Sequence, residues 1–151
     1  MALTTFGAIM GFAAEMAAQA EEIYKALAGM AKAPALKEFL EALSKEEAKN
    51  RALMVKARRE NVTEMILEPV TGLNREDYEV DVKPSGSMED GGVLNAALIL
   101  EERGKAFFEN AASKVPIPEV ARTFRKAARK KEENLTKLRG FGLDQSLGRR
   151  S

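Results

Sequence analysis

Leu36-Lys37-Glu38-Phe39-Leu40-Glu41-Ala42-Leu43-Ser44-Lys45-Glu46-Glu47-Ala48-Lys49-Asn50 carries a helical pattern in its side chains. Leu36, Leu40, Leu43, Glu47, Asn50, Met54 and Ala57 recur every three or four residues, which places them on one face of a helix. The face is apolar at both ends and polar in the middle. A second stripe has the same form: Leu94, Ala97, Glu101, Gly104, Phe108, Ala111 and Val115. Polar residues interrupting a core stripe at mid-helix need partners on other helices, because a buried carboxylate without one is costly.

Working outward, turn signals frame four helical stretches. The first begins near Leu3 and ends at Ala33-Pro34, with Pro34 suited to the first turn of the next helix. The second runs to about Leu67, before Glu68-Pro69. Residues 68–92 hold Pro69, Gly72, Pro84, Gly86, Gly91 and Gly92, the composition of a link, with a short extended piece at Tyr78, Val80 and Val82. The third helix starts at Met88 or Gly92 and reaches Lys114, where Pro116 and Pro118 break the chain. The fourth extends to Arg139 and stops at Gly140 and Gly142, leaving 140–151 as a flexible tail.

A shift of 84 residues lays Pro34 on Pro118, Tyr24 on Phe108 and Asn50 on Asn134 without a gap. It aligns the first helix's stripe (Met10, Ala13, Ala17, Ala20, Tyr24, Leu27, Ala31) with the third's. The fourth's stripe (Val120, Phe124, Ala127, Lys131, Asn134, Leu138) likewise falls on the second's. Two similar hairpins joined by a long crossover link make an all-α four-helix bundle, here over residues 1–139.

Composition narrows the chemistry. Of 151 residues, 45% are hydrophobic and 31% charged, as in one ordinary globular domain, and the net charge of +1 recommends neither a nucleic acid nor a membrane surface. The absence of Cys and His removes thiol nucleophiles, zinc–cysteine sites and Ser-His or Cys-His catalysis. Met1–Ala14 is apolar, but its first cation is Lys25 and Glu15 cuts it short, so neither a signal peptide nor a membrane span is expected and a cytoplasmic location is.

Glu21 to Ala28 and Glu101 to Phe108 resemble the ligand-bearing helices of rubrerythrin-like, ferritin-like proteins, and Leu43–Asn50 and Ala127–Asn134 resemble that family's Glu-x-x-His helices. The resemblance spans residues 3–139. It implies a di-iron site with oxidoreductase or ferroxidase activity, a single Glu coming from each of two helices and a Glu-x-x-His pair from each of the others. Those ligand positions fall here on Ala17, Glu47, Asn50, Glu101, Lys131 and Asn134. Only Glu47 and Glu101 keep ligand chemistry, and a charged Lys offers no lone pair and repels a cation. The expectation is therefore a degenerate metal site with no cofactor and no catalytic residues. Lys131 takes the place of the metals, in a buried polar cluster of Glu47, Asn50, Glu101, Lys131 and Asn134. The expected function is that of a dimeric structural or interaction module. The alternative is a ferritin-like oxidoreductase or metal-binding protein holding iron or another divalent metal at a relocated carboxylate site, with Glu15, Glu22, Glu46, Glu102 and Glu132 near the right level.

Three other features stand out. A second apolar row on the first helix, Ile9, Phe12, Met16, Ile23 and Met30, reads as a homodimer face, or as a face covered by the 68–92 link. The fourth helix is basic (Arg122, Arg125, Lys126, Arg129, Lys130, Lys131, Lys137, Arg139), which suits an anion or nucleic acid. The favoured expectation is instead that the link's Glu76, Asp77, Glu79, Asp81, Glu89 and Asp90 drape over it, since no aromatics interleave the cations. The end, Ser146-Leu147-Gly148-Arg149-Arg150, resembles the short addresses that load ferritin-like cargo into encapsulin shells.

Overall fold

The structure, a computed structural model, describes residues 1–61, 69–86 and 88–150, with the side chains of 143–150 left out. Among the described residues there are four α-helices: α1 (Phe6–Met30), α2 (Pro34–Glu60), α3 (Asp90–Lys114) and α4 (Pro118–Arg150). A 3-10 turn, Arg75–Asp77, lies within the described part of the link. The helix limits reproduce the 84-residue shift, since α1 and α3 begin and end 84 residues apart, as do the starts of α2 and α4. Thr5 caps α1 by accepting a hydrogen bond from the Ala8 amide at 3.0 Å, and proline opens both α2 and α4.

Helix α1 packs chiefly on α2, and α3 chiefly on α4. Between hairpins the direction reverses. Phe12 meets Phe107, whereas Tyr24 meets Ala97 and Glu101, so α1 and α3 are antiparallel. The link therefore has to travel the length of the bundle, and it does so over the α1/α3 seam. At one end it is tied to the chain's first residues by Leu3 N–H to Leu73 O and Val70 N–H to Thr4 O, each 2.8 Å. Gly72, with φ of +87°, makes the turn between these two bonds in a conformation other residues rarely adopt. In mid-course Tyr78 is buried against Phe107, ring centroids 5.3 Å apart.

The core divides into two apolar clusters. One centres on Phe107, surrounded by Phe12, Tyr78, Phe108 and Phe124. The other gathers Tyr24, Leu27, Leu36, Leu40, Val93 and Leu138 towards the far end. Between them lie the buried polar residues of the two interrupted stripes.

At that far end the Asp90 carboxylate accepts hydrogen bonds from the Lys32 and Ala33 amides, at 2.8 and 3.0 Å. It thus fastens the start of α3 to the α1–α2 turn by pairing the two amides that precede α2. Asp90→Ala is expected to lower stability by about 1.5–3 kcal/mol, the range for hydrogen bonds to a charged group. Thermal unfolding would check it, with Asp81→Ala, at a 90% exposed side chain, as the neutral comparison.

Four expectations need correction. Helix α4 runs through Gly140 and Gly142 to Arg150, so 140–150 is helical where a flexible tail was expected. Glycine inside a helix costs about 1 kcal/mol but does not forbid it, and Phe141 packs on Phe39 at 5.7 Å between centroids. The encapsulin-like address lies outside the described side chains. Helix α2 ends at Glu60, capped through the Asn61 amide, rather than at Leu67; residues 62–67 lie outside the described residues. The 78–82 piece forms no strand, and the one bridge described in the link region pairs Ala2 with Asn74.

The apolar row on α1 is the fourth. Ile9, Phe12 and Ile23 are buried within this chain, and Met16 and Met30 partly so, packed in the same clusters as Val70, Leu73, Tyr78, Val80 and Val82 of the link. The row is no open dimer face, because the crossing link has covered it. No helix among the described residues is long and apolar enough to cross a membrane.

Candidate functional site

Each of the two interrupted stripes, and its counterpart on α4, delivers its polar residues to one level of the bundle. From α2 comes Glu47, from α3 Glu101, and from α4 Lys131 and Asn134, all 3% exposed or less. Lys131 Nζ donates to Glu47 Oε1 at 2.5 Å and to Glu101 Oε1 at 3.4 Å. Lys131 and Glu47 are 84 residues apart, equivalent positions of the two hairpins. In a two-fold arrangement a residue meets its own counterpart only near the axis, so this pair marks the centre of the repeat.

Asn134 Nδ2 donates to Glu101 Oε2 at 3.2 Å and to Glu46 Oε1 at 3.0 Å. The Tyr24 hydroxyl, fully buried on α1, donates to Glu101 Oε1 at 2.6 Å. Glu101 is thereby held by one ammonium, one amide and one phenol. No buried side-chain nitrogen or oxygen among the described residues lacks a partner.

The electrostatics follow from counting charges. Glu47 and Glu101 against Lys131 leave one negative charge in excess, with half-buried Glu46 close by. Burial pushes the Glu47 carboxyl above the usual carboxylate range; Lys131 pulls it back down and Glu101 pushes it up again. Glu46 is raised too, by burial first and then by Glu101. For Lys131, burial alone would favour the neutral amine, but the attraction of Glu47 and Glu101 overcomes it and raises the ammonium above its ordinary value. Lys131 is thus locked as a cation and is unsuited to act as an amine nucleophile at neutral pH. Tyr24 is held well above its ordinary value by burial and by the charges of Glu101 and Glu47, so it remains a donor.

Two small residues make room for the ammonium. At Gly104 an added Cβ would lie 2.6 Å from Lys131 Cε and 2.8 Å from Cδ, so the lysine stem lies directly across the glycine. Ala17, where the resemblance would put a carboxylate, lines a cavity of about 20 Å³ together with Gly104, Glu47 and Lys131. That is space for about one water.

These residues do not fit a pair of metal ions. The ammonium occupies the middle of the donor set, Ala17 has no donor atom, and Asn50 points elsewhere. Among the described residues, no group of three or more acids could enclose an ion.

Four of the five residues expected in the cluster are together. Asn50 is the exception. It is half-buried, joins none of the described hydrogen bonds, and lines a groove between α2 and α4. Glu46 fills its role. The reading also missed Tyr24 and Gly104 as members, although both lie on the stripes. A tyrosine in a bundle core needs a partner for its hydroxyl, and a mid-helix glycine flags a close approach; those were the available signals.

Among the described residues, the link's acids do not cover the basic face of α4. Asp81 pairs with Lys83, Glu79 with Arg75, and Asp90 with the α1–α2 turn. Glu76 pairs with the N-terminal ammonium. Among the described residues, the exposed cations of α4 in ion pairs are Lys130 with Glu133 and Arg139 with Glu132. The link runs over the other seam of the bundle.

Fold and site together define an all-α bundle of two antiparallel hairpins, bridged at mid-height by a buried lysine–carboxylate cluster. No known protein family matches the chain, and no curated protein does. A solved structure of a hypothetical protein from Pyrococcus furiosus is similar in fold, with a TM-score of 0.69 and 24% identity over 89% of this chain and 86% of that one.

Proposed function

We propose that the chain is a non-catalytic, rubrerythrin-like bundle of the ferritin-like kind, working inside the cell as a structural or interaction module. In it an ammonium group replaces the metal pair. The observation that carries this reading is Lys131 Nζ, 2.5 Å from Glu47 and 3.4 Å from Glu101 in the bundle's centre. One cation on a side chain there does the charge compensation that metal ions do in a di-iron bundle, and it brings no redox chemistry. The cluster's role is to fix which faces of the two hairpins meet, since any other register would strand buried charges.

Metal analysis of protein purified from iron-supplemented cells tests this. The expected result is well below one iron or manganese per chain, with no peroxide consumption or ferrous-iron oxidation above buffer. One or two irons per chain would instead favour a relocated carboxylate site.

A further inference from the structure

Among the described residues, the link covers one seam of the bundle, and the opposite one, between α2 and α4, is an open groove of about 550 Å³. Its floor is apolar: Ala52, Leu53, Met54 and Ala127 line it, with Leu53 49% exposed. Its rims are basic on both sides, with Lys49 and Lys56 from α2 and Lys126 and Lys130 from α4. Glu46 is the acid in the lining, and it is engaged with Asn134.

We propose that this groove docks an amphipathic helix of a partner protein, one whose apolar stripe is flanked on both sides by Asp or Glu. Three features point to that partner. The apolar floor lies between two helices, where a fifth helix can bury a stripe of residues spaced three and four apart. The cations are distributed along both rims rather than gathered at one end, which matches two flanking rows of acids better than a single anionic head. They continue outward into Arg122, Arg125 and Arg129, which among the described residues make no ion pair, so the approach to the groove attracts acidic surfaces. A second copy of this chain is disfavoured: a two-fold pairing through the groove would set lysine rims against lysine rims. Nucleic acid is disfavoured because no aromatic side chain lines the groove to stack on a base.

The proposal deepens the reading of the chain as an interaction module but does not rest on the Lys131 cluster. Iron in the purified protein would defeat that reading while leaving binding at the groove measurable.

The test uses the full chain and a fluorescein-labelled, 18-residue designed helix with leucines on one stripe and glutamates on both flanks, followed by fluorescence anisotropy. Saturable binding is expected, weakened at least about tenfold by Leu53→Asp and by Lys49→Glu with Lys126→Glu, and falling with salt. All three positions are exposed, so the fold should persist, and unchanged helical circular dichroism would confirm it. A matched peptide with lysine flanks should not bind. The proposal is overturned if the acidic peptide fails to bind or the groove variants leave its affinity unchanged. It is also overturned if a 20-nucleotide RNA competes through the same residues. Because the chain has no cysteine, Leu53→Cys supplies a further check: efficient disulfide cross-linking between two chains would show that a second copy occupies the groove, and would also overturn it.

Discussion

Lys131→Met is expected to lower the stability of the fold by about 3 kcal/mol, the lower end of the range for stripping one partner from a buried ion pair. For a chain of this length that is a fall in melting temperature of about 10 °C. Methionine nearly matches the volume of lysine, so little of the loss comes from packing. It comes from Glu47 and Glu101, which would share a buried site with no cation between them. The neighbouring Lys130→Met removes an equal charge from the exposed side of α4 and should change stability by no more than about 0.5 kcal/mol.

The pH dependence should carry the same signature. Burial already raises Glu47 above the carboxylate range, and losing Lys131 raises it further. A carboxyl with a raised folded-state value holds a proton that the unfolded chain has released. Its contribution therefore improves as pH falls through the folded value towards the unfolded value of about 4.5, and is worst above both. The deficit of Lys131→Met relative to the wild type should thus be largest near pH 7 and shrink towards pH 4.5. Lys131→Met combined with Glu47→Leu returns the cluster to a single excess charge, on Glu101, still held by Tyr24 and Asn134. That double variant should regain most of the lost stability. A single variant that melts with the wild type would remove the cluster from any structural role.

Gly104→Ala is expected to destabilise, although it exchanges the poorer helix former for the better one in the middle of α3. Helix propensity alone predicts a gain of about 1 kcal/mol. The added methyl would overlap the Lys131 stem at 2.6 and 2.8 Å, and the stem is packed in the core with its ammonium bound to Glu47. Moving the stem stretches that bond, and overpacking of this kind costs about 1–3 kcal/mol, more than the propensity gain over most of that range. The sign should invert once the lysine is gone. In the Lys131→Met, Glu47→Leu background, with Met flexible enough to turn aside, Gly104→Ala should be neutral or stabilising. A double-mutant cycle on urea unfolding measures the difference. If alanine stabilises the wild type as it would any exposed helix, the glycine is not there for the lysine.

Four helices, their pairing into hairpins and the 84-residue correspondence were all legible in the stripes, because spacings of three and four are set locally by the helix itself. The same periodicity placed Glu47, Glu101, Lys131 and Asn134 on core faces. It could not decide between Asn50 and Glu46. Asn50 lies nearly one turn past Glu47, where α2 faces the open groove. Glu46 lies about 100° round the helix from Glu47, yet its longer side chain reaches Asn134. Which of two flanking residues reaches in depends on the separation of α2 and α4, and no local pattern encodes that.

The path of the link was likewise undetermined. Its acids and its apolar Tyr78, Val80 and Val82 were compatible with lying over basic α4 or over the apolar row of α1. The second option wins because it buries Phe12, Ile9 and Ile23, and apolar area removed from water outweighs the small worth of surface ion pairs.

By itself, then, the sequence determined what each helix presents to its core, and that two carboxylates, an ammonium and an amide would interrupt those apolar faces at mid-height. Tertiary structure decided which of those groups touch, which seam the link closes and which it leaves open. The reason is one of range: helical periodicity acts over a few residues, whereas Lys131 and Glu47 are 84 residues apart and meet only when the two hairpins dock.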